Sequence, residues 1–230
     1  MKYLIIPIII VLALLGACKK NSDSAVPDTH GNFEFVNATY AALEFNIKLD
    51  TINFASNVAY KTSTGYKSYL AKKYNLIITT SDRPDIILVN QELFLRNNRY
   101  YTAFMGIDSA KAGLAMILTE DDLSAPRADS AKFRVIDFSQ AFKPNRAPLG
   151  LDVYAGNPTV IFKGLTFPSQ TAFVPLRGDS TYTMKFNYVD SSLVLKSIPL
   201  AAQKGKVYTL VTAGYPLDAA QFDILTIQHN

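Results

Sequence analysis

The chain has 230 residues, with 23 Lys plus Arg against 19 Asp plus Glu, two His, one Cys and no Trp. A formal net charge of +4 that is not gathered on one stretch argues against nucleic acid as a partner, and a single cysteine excludes an internal disulfide framework. Stability must therefore come from burial, for which about 200 residues supply one or two cores of ordinary size.

The first element is a leader. Lys2 precedes an apolar run of twelve residues from Leu4 to Leu15, broken only by Pro7, and then come Gly16 and Ala17. That is the order of a secretory signal, and the run is short of the roughly 20 residues a spanning helix needs. Residues 1–17 are expected to be removed. Leu15-Gly16-Ala17-Cys18 resembles the bacterial lipobox, which implies that the Cys18 thiol is diacylated, palmitate-style, and becomes the first residue. An unmodified lone thiol in an oxidising compartment invites intermolecular pairing, whereas two acyl chains give stable membrane attachment. Residues 18–32 continue with polar, turn-forming side chains and are read as the lipidated cysteine and a tether, with a reach of roughly 20 Å.

Alternation of period two dominates the chain beyond residue 32. In ALEFNIKLD, Leu43, Phe45, Ile47 and Leu49 point one way and Glu44, Asn46, Lys48 and Asp50 the other; Tyr182, Met184, Phe186 and Tyr188 repeat the pattern. Short apolar runs separated by turn residues, among them FEFVN, NLIIT, YYTAFM, AMILT, FRVIDF, VYTLVT and FDILTI, have the rhythm of an all-β sandwich. The two halves also repeat. Phe33–Asn37 aligns with Phe133–Asp137 at an offset of 100, and Tyr101-Thr102 with Tyr208-Thr209 and Ile117–Thr119 with Ile224–Thr226 at an offset of 107. The sequence thus predicts one β-sandwich over 33–122, a linker over 123–132 and a second sandwich over 133–230. Both are antiparallel and immunoglobulin-like in size. Prolines crowd the second copy, where they are expected at turns, edges or bulges.

Asp137-Phe138-Ser139, Leu151-Asp152-Val153-Tyr154-Ala155-Gly156, STYTMKF and IPLAAQKGKVYTLVTAG resemble signatures of domain-of-unknown-function family 4397, over most of residues 33–230 and more strongly in the second copy. The resemblance implies a β-sandwich module, often in tandem, of bacterial envelope lipoproteins, and carries over no catalytic residue. The family's usual His-Ala-Ser-Pro-Asp run is replaced by Asp137-Phe138-Ser139-Gln140 here and by Asn37-Ala38-Thr39-Tyr40 in the first copy. The Cys-Lys-Lys start and Ser/Asn/Asp tether are similar to lipoproteins of the Bacteroidota. This implies the outer membrane and leaves its face open.

Residues able to do chemistry are few. His30 falls in the tether and His229 beside the terminus, where neither is expected to find a partner, so a hydrolytic triad lacks its base and zinc its usual ligands. Glu120-Asp121-Asp122 reads as a solvated end of the first copy, because adjacent side chains point apart and the spacing of a calcium loop is missing. Between residues 60 and 74, Tyr60, Tyr66, Tyr69 and Tyr74 interleave with four lysines. Tyr60, Tyr66 and Tyr69 are the candidate contact set for a glycan, against an alternative in which the rings pack and the lysines blunt an edge strand. Of 15 aspartates, seven precede Ser or Thr. Turn chemistry enriches such pairs, and five of them resemble the O-glycosylation acceptor of Bacteroidota envelope proteins, which makes Ser24, Thr51, Ser109, Ser130 and Ser180 candidates. No cofactor and no metal are expected. The favoured expectation is a non-catalytic envelope lipoprotein with the membrane and either a glycan or an envelope protein as partners. A glycan-binding accessory protein and, further off, a carboxylate-dependent hydrolase are the alternatives.

Overall fold

The computed structural model describes residues 29–230 except 42, 109–112, 125, 141–148 and 157. The leader, Cys18, Ser24 and Ser109 lie outside the described residues, as do most of the tether and most of the proline-bearing loop after Gln140. Among the described residues no helix is long and apolar enough to cross a membrane, and all regular structure is strand, as the alternation predicts.

The described residues of the first half form eight strands: β1 (His30–Asn37), β2 (Phe45–Leu49), β3 (Ile52–Val58), β4 (Lys67–Leu70), β5 (Lys73–Thr80), β6 (Ile87–Phe94), β7 (Tyr100–Asp108) and β8 (Gly113–Asp121). They form sheet I in the order β4-β1-β7-β8 and sheet II in the order β3-β2-β5-β6. The described residues of the second half form nine: β9 (Ser130–Ser139), β10 (Leu151–Ala155), β11 (Val160–Leu165), β12 (Ser169–Gln170), β13 (Val174–Arg177), β14 (Ser180–Tyr188), β15 (Val194–Ala202), β16 (Val207–Gly214) and β17 (Phe222–Gln228). Sheet III is β12-β9-β16-β17, with β13 also on β9, and sheet IV is β11-β10-β14-β15.

The pairings are antiparallel with two exceptions, β1 with β7 and β9 with β16, which are parallel. Each parallel pair brackets all of its half's other sheet, so the connection is long enough to return in the same direction. Pro175 and Pro199 sit on the edge strands β13 and β15, where a missing N–H costs no ladder bond.

Alternation along the strands sets the layer order. Phe33 and Phe35 of β1 join Phe45, Ile47, Leu76 and Ile78 in a core between sheets I and II. Phe133 and Val135 of β9 join Val153, Met184 and Phe186 between sheets III and IV. The residues that alternate with these, Val36, Phe104, Ile136, Phe138, Val211 and Leu225, form a third cluster in which sheet I meets sheet III. The stack is therefore II–I–III–IV. Its inner sheets are covered on both faces, which is why β1, β9 and β16 are buried along almost their whole length, polar residues included.

The registers refine the repeat. Phe33 pairs with Tyr101 and Phe133 with Tyr208, so the first two sequence matches fall on equivalent positions. The third is displaced by one residue. Thr102 pairs with Thr119, and its counterpart Thr209 pairs with Ile227, so Ile117 corresponds to Leu225 and not to Ile224. A one-residue slip exchanges the faces of a strand. Ile117 packs against the seam between sheets I and III, as Leu225 does, while Ile224 packs against the second core.

Gly106 of β7 shows how closely the seam is fitted. A Cβ built there would lie 2.4 Å from Cγ of Phe138. Gly106→Ala is expected to wedge the inner sheets apart and lower stability by about 1–3 kcal/mol, with part of the loss recovered when Phe138→Leu is added. Urea denaturation checks this, and an unchanged midpoint for G106A would show that the seam is not closed around Gly106.

Candidate functional site

One end of the seam is polar. Glu34 on β1, Thr102 on β7, Thr119 and Asp121 on β8, Arg134 on β9, Thr209 on β16 and His229 just after β17 all alternate with core residues and so face the opposite sandwich. Charges placed there leave water completely: the side chains of Asp121 and Arg134 are 0% and 4% exposed, and those of Glu34 and His229 are 3% and 0% exposed.

Such burial is tolerable only when every polar atom is matched. Asp121 Oδ1 accepts from Thr119 at 2.6 Å and from Arg134 Nη2, and its Oδ2 accepts from Thr102 at 2.5 Å and Tyr66 at 2.7 Å. Arg134 Nε donates to Thr209 Oγ1 at 3.0 Å, and the guanidinium lies 4.6 Å over the Phe173 ring. His229 joins the two halves, with Nε2 2.7 Å from Thr209 Oγ1 and Nδ1 3.1 Å from Glu34 Oε2. Glu34 also accepts from Ser63. One assignment satisfies the chain throughout: Arg134 donates to Thr209, the Thr209 hydroxyl donates to Nε2 of a neutral ring, and Nδ1–H donates to Glu34. Burial first, and then the Asp121 charge, push the Tyr66 phenol well above its ordinary value, so it stays a neutral donor.

The registers make this cluster a pseudo-two-fold contact. Glu34 and Arg134 are equivalent positions, as are Thr102 and Thr209, and extending β8 and β17 by their pairing makes Asp121 the counterpart of His229. Glu34 therefore meets the counterpart of Asp121, and Asp121 meets the counterpart of Glu34. The geometry is that of an isologous interface, but with acids on one side and a guanidinium and an imidazole on the other.

Two sequence expectations are corrected here. His229 is not partnerless, because the chain end returns beside β16, where its amide bonds to Val207 O at 3.0 Å. Nor is Glu120-Asp121-Asp122 solvated throughout: Glu120 and Asp122 are exposed as expected, but Asp121 is buried. Alternation turns Asp121 into the seam, whereas Glu120 pairs with Arg96 and Arg99 and Asp122 with Lys132. The Ser124 hydroxyl and then Lys132 hold the Asp122 carboxyl down at about 2.

The three tyrosines are not brought to one face. The Tyr60 hydroxyl donates to Asp223 Oδ2 at 2.9 Å, while that of Tyr66 lies 3.2 Å from His229 Nδ1. Asp223 and His229 mark opposite ends of β17, roughly 20 Å apart. Tyr69 packs its ring on Phe54 and Tyr74 at the margin of the first core. Beside Tyr66 and Tyr100 the seam opens into a cleft of about 780 Å³ bordered by Arg99, Asp122 and Asn230. Of the glycosylation candidates that are described, Thr51 is exposed in the β2–β3 turn behind Asp50, whose φ is 54°, and Ser130 and Ser180 are half-buried at the starts of β9 and β14.

Chemically, Thr209, His229 and Glu34 stand in the order of a nucleophile, base and orienting acid. The hydroxyl, however, is 0% exposed and already takes the Arg134 N–H, so no substrate reaches it. Among the described residues no group of three His, Cys, Asp or Glu side chains is placed to hold a metal ion. On the opposite face of β9, in phase with Phe133 and Val135 and so turned into the second sandwich, Asp137 is 0% exposed; its Oδ1 accepts from Ser139 N and Thr212 Oγ1, and its Oδ2 has no partner.

Fold and seam together define the class: a tandem β-sandwich whose halves are joined through their inner sheets by the buried Arg134–Asp121 ion pair and a buried His229–Glu34 hydrogen bond. Residues 31–144 match the family described as "Domain of unknown function (DUF4397)", and this part of the chain belongs to it. The match runs through β1–β9, so it favours the first copy, whereas the signatures visible in the sequence lie mostly in the second. No match was found among curated proteins. Similar solved structures include a family CBM26 module from Eubacterium rectale in complex with maltoheptaose, at 10% identity over 85% of this chain and 95% of that one, with a TM-score of 0.27. Another is a leucine-rich repeat protein from Bacteroides thetaiotaomicron, at 13% identity over 79% of this chain and 26% of that one, with a TM-score of 0.21. At these TM-scores neither says anything about a ligand.

Two outcomes are expected of the seam. Arg134→Met strands the Asp121 carboxylate and costs about 3–5 kcal/mol of stability, and Asp121→Asn in the same chain recovers part of it. Losses that simply add in a double-mutant denaturation cycle would show that the two groups do not act as a pair. For Asp137, burial pushes the carboxyl up. A carboxyl raised on folding stabilises below its unfolded pKa, and that stability is lost as pH rises toward the folded value. Asp137→Asn should therefore gain about 1–3 kcal/mol at pH 8, where the parent buries an unmatched oxygen, with little difference at pH 4. Equal destabilisation at both pH values would refute this.

Proposed function

We propose that the chain is a non-catalytic, lipid-anchored module of the bacterial envelope, with 33–122 and 133–230 as its two sandwiches, 123–132 as their linker and Cys18 as its anchor. Its role on this reading is to hold outer faces in fixed relation for an envelope partner. The observation that carries the non-catalytic part is the sealing of Thr209, His229 and Glu34 between the inner sheets, where their donors and acceptors are used on one another. The lipobox-like Leu15–Cys18 and the polar tether support the anchor. The family match and the all-β architecture are compatible with the role as a whole.

The test uses the full chain extracted from bacterial membranes. Intact mass should show a diacyl addition at Cys18, lost together with membrane partition in Cys18→Ser, and any hexose increments on Thr51, Ser130 or Ser180 would be read in the same spectrum. Turnover of p-nitrophenyl acetate should be at buffer level for parent and for Thr209→Val alike. A C18S chain that stays lipidated, or ester turnover that T209V abolishes, would overturn the reading.

A further inference from the structure

The signature Leu151–Gly156 is not consumed by the seam. Its core residues Leu151, Val153 and Ala155 point into the second sandwich, which sends Asp152 and Tyr154 to the outer face of sheet IV. There they stand beside Asn187 and Lys185 of β14 in cross-strand register. Asp152 is buried and fully used: Oδ1 accepts from Gly164 N at 2.8 Å and Oδ2 from Asp190 N at 2.9 Å. These two bonds pin the β11 bend on one side and the turn after β14 on the other. Between them lies a cleft of about 600 Å³, lined by Tyr154, Lys163, Lys185, Asn187, Asp190 and Ser192 among others.

The cleft holds matched and unmatched groups in an informative combination. Lys163 pairs with Asp190 at 2.7 Å, and Lys185 faces solvent with no carboxylate partner among the described residues. Asn187 is only 7% exposed. Its Nδ2 makes one long bond, 3.3 Å to Ser191 O, and its Oδ1 has no partner. A buried acceptor without a donor is costly, and a small rotation of the amide toward the cleft would meet an entering hydroxyl. Two lysines and two aspartates cancel, so the cleft offers donors and acceptors without net charge. That combination, beside a half-buried tyrosine ring, suits a neutral polyhydroxyl better than a phosphate or carboxylate. The equivalent positions of the first copy are Asn46, Lys48, Thr79 and Ile77, with no aromatic ring, so the fold itself does not require this arrangement.

We propose that the outer face of sheet IV binds a neutral saccharide, one hydroxyl donating to Asn187 Oδ1, a neighbouring oxygen accepting from Lys185 Nζ, and the sugar ring lying against Tyr154. This names a ligand for the proposed envelope module and rests on that reading, but because binding is read in solution it can fail or succeed independently of the lipid anchor. The experiment is a titration of the full chain in detergent with maltotetraose, cellotetraose, xylotetraose and mannotetraose, and with sulfate as an anion control. At least one tetrasaccharide should bind, with affinity reduced tenfold or more in Lys185→Ala and in Tyr154→Ala. Both side chains reach solvent, so the variants should keep the parent's melting temperature, and Tyr66→Phe should bind as the parent does. Absence of binding to all four sugars, binding that K185A and Y154A leave unchanged, or displacement of the sugar by sulfate would each overturn the assignment.

Discussion

The arrangement of the molecule depends on the buried pairing of Arg134 with Asp121. An ion of that size loses several kcal/mol on leaving water, and only a partner in good geometry with every remaining donor and acceptor filled makes the loss tolerable. Arg134 finds Asp121, Thr119 and Thr209 in one place and the Phe173 and Phe104 rings near its plane. The apolar remainder of the seam is less demanding. Val36, Phe104, Ile136 and Leu225 would gain similar contact area in several mutual positions of two flat sheets, because burial is non-directional. A shift by one residue along β9 would leave the guanidinium facing carbonyls or carbon. The polar end thus selects a register, the one that also seats Phe138 over Gly106.

The same cluster explains how a repeated sandwich avoids its own likeness. Each copy has an inner sheet apolar on both faces, and alone such a sheet would expose a patch that invites association. Facing two copies solves the problem, but identical copies would also pair with themselves. Here Glu34 and Asp121 are acidic and their counterparts Arg134 and His229 are basic. Two first copies would bring Glu34 onto Asp121, and two second copies Arg134 onto His229. Two first copies would oppose two carboxylates and two second copies would leave the guanidinium without a carboxylate, so only first against second is complementary, and specificity comes from a repulsive element as well as an attractive one. The fitting of side chains follows suit, with Phe138 seated where Gly106 has no side chain.

Much of this fold was legible because a strand half-buried in a sandwich must alternate. Phe45-Ile47-Leu49 and Met184-Phe186 announced their faces directly, and the repeated Phe33 and Phe133 fell on one structural position. The seam was not legible. A strand covered on both faces loses the alternation that shows which way it points, and Glu34 between two phenylalanines, or Arg134 between Phe133 and Val135, looks like a solvated residue on an edge. The charges could have been suspected from one signal, the opposite sign at matched positions of the repeat, but that signal required the correct register. The alignment of Ile117 with Ile224, plausible by identity, conceals the equivalence of Asp121 and His229. Nearness to a terminus suggests exposure for His229, but burial follows the ladder the residue continues and not its place in the chain. The tyrosines misled for a related reason: Tyr60 and Tyr66 are six residues apart, yet the turn between them sends their hydroxyls to opposite ends of β17.

What the seam fixes, the outer sheets can vary. Sheets II and IV each contribute one face to a core and leave one face free, and nothing in the inner packing constrains the outward positions. The first copy places Asn46 there and uses it locally, its Oδ1 accepting from Asn57 N and Ser81 Oγ. In the second, Asp152 stands at the same position and reaches two backbone amides on opposite sides of the sheet, so that a bend and a turn are drawn up around Tyr154 and Asn187. Asn46 also reaches both sides of its strand, but through one amide and one hydroxyl on a single oxygen, whereas each carboxylate oxygen of Asp152 holds a backbone amide. Duplication therefore separated two tasks that a single sandwich could not divide: the paired inner sheets hold the geometry, and one outer face is left with a cleft whose buried amide oxygen is still without a donor.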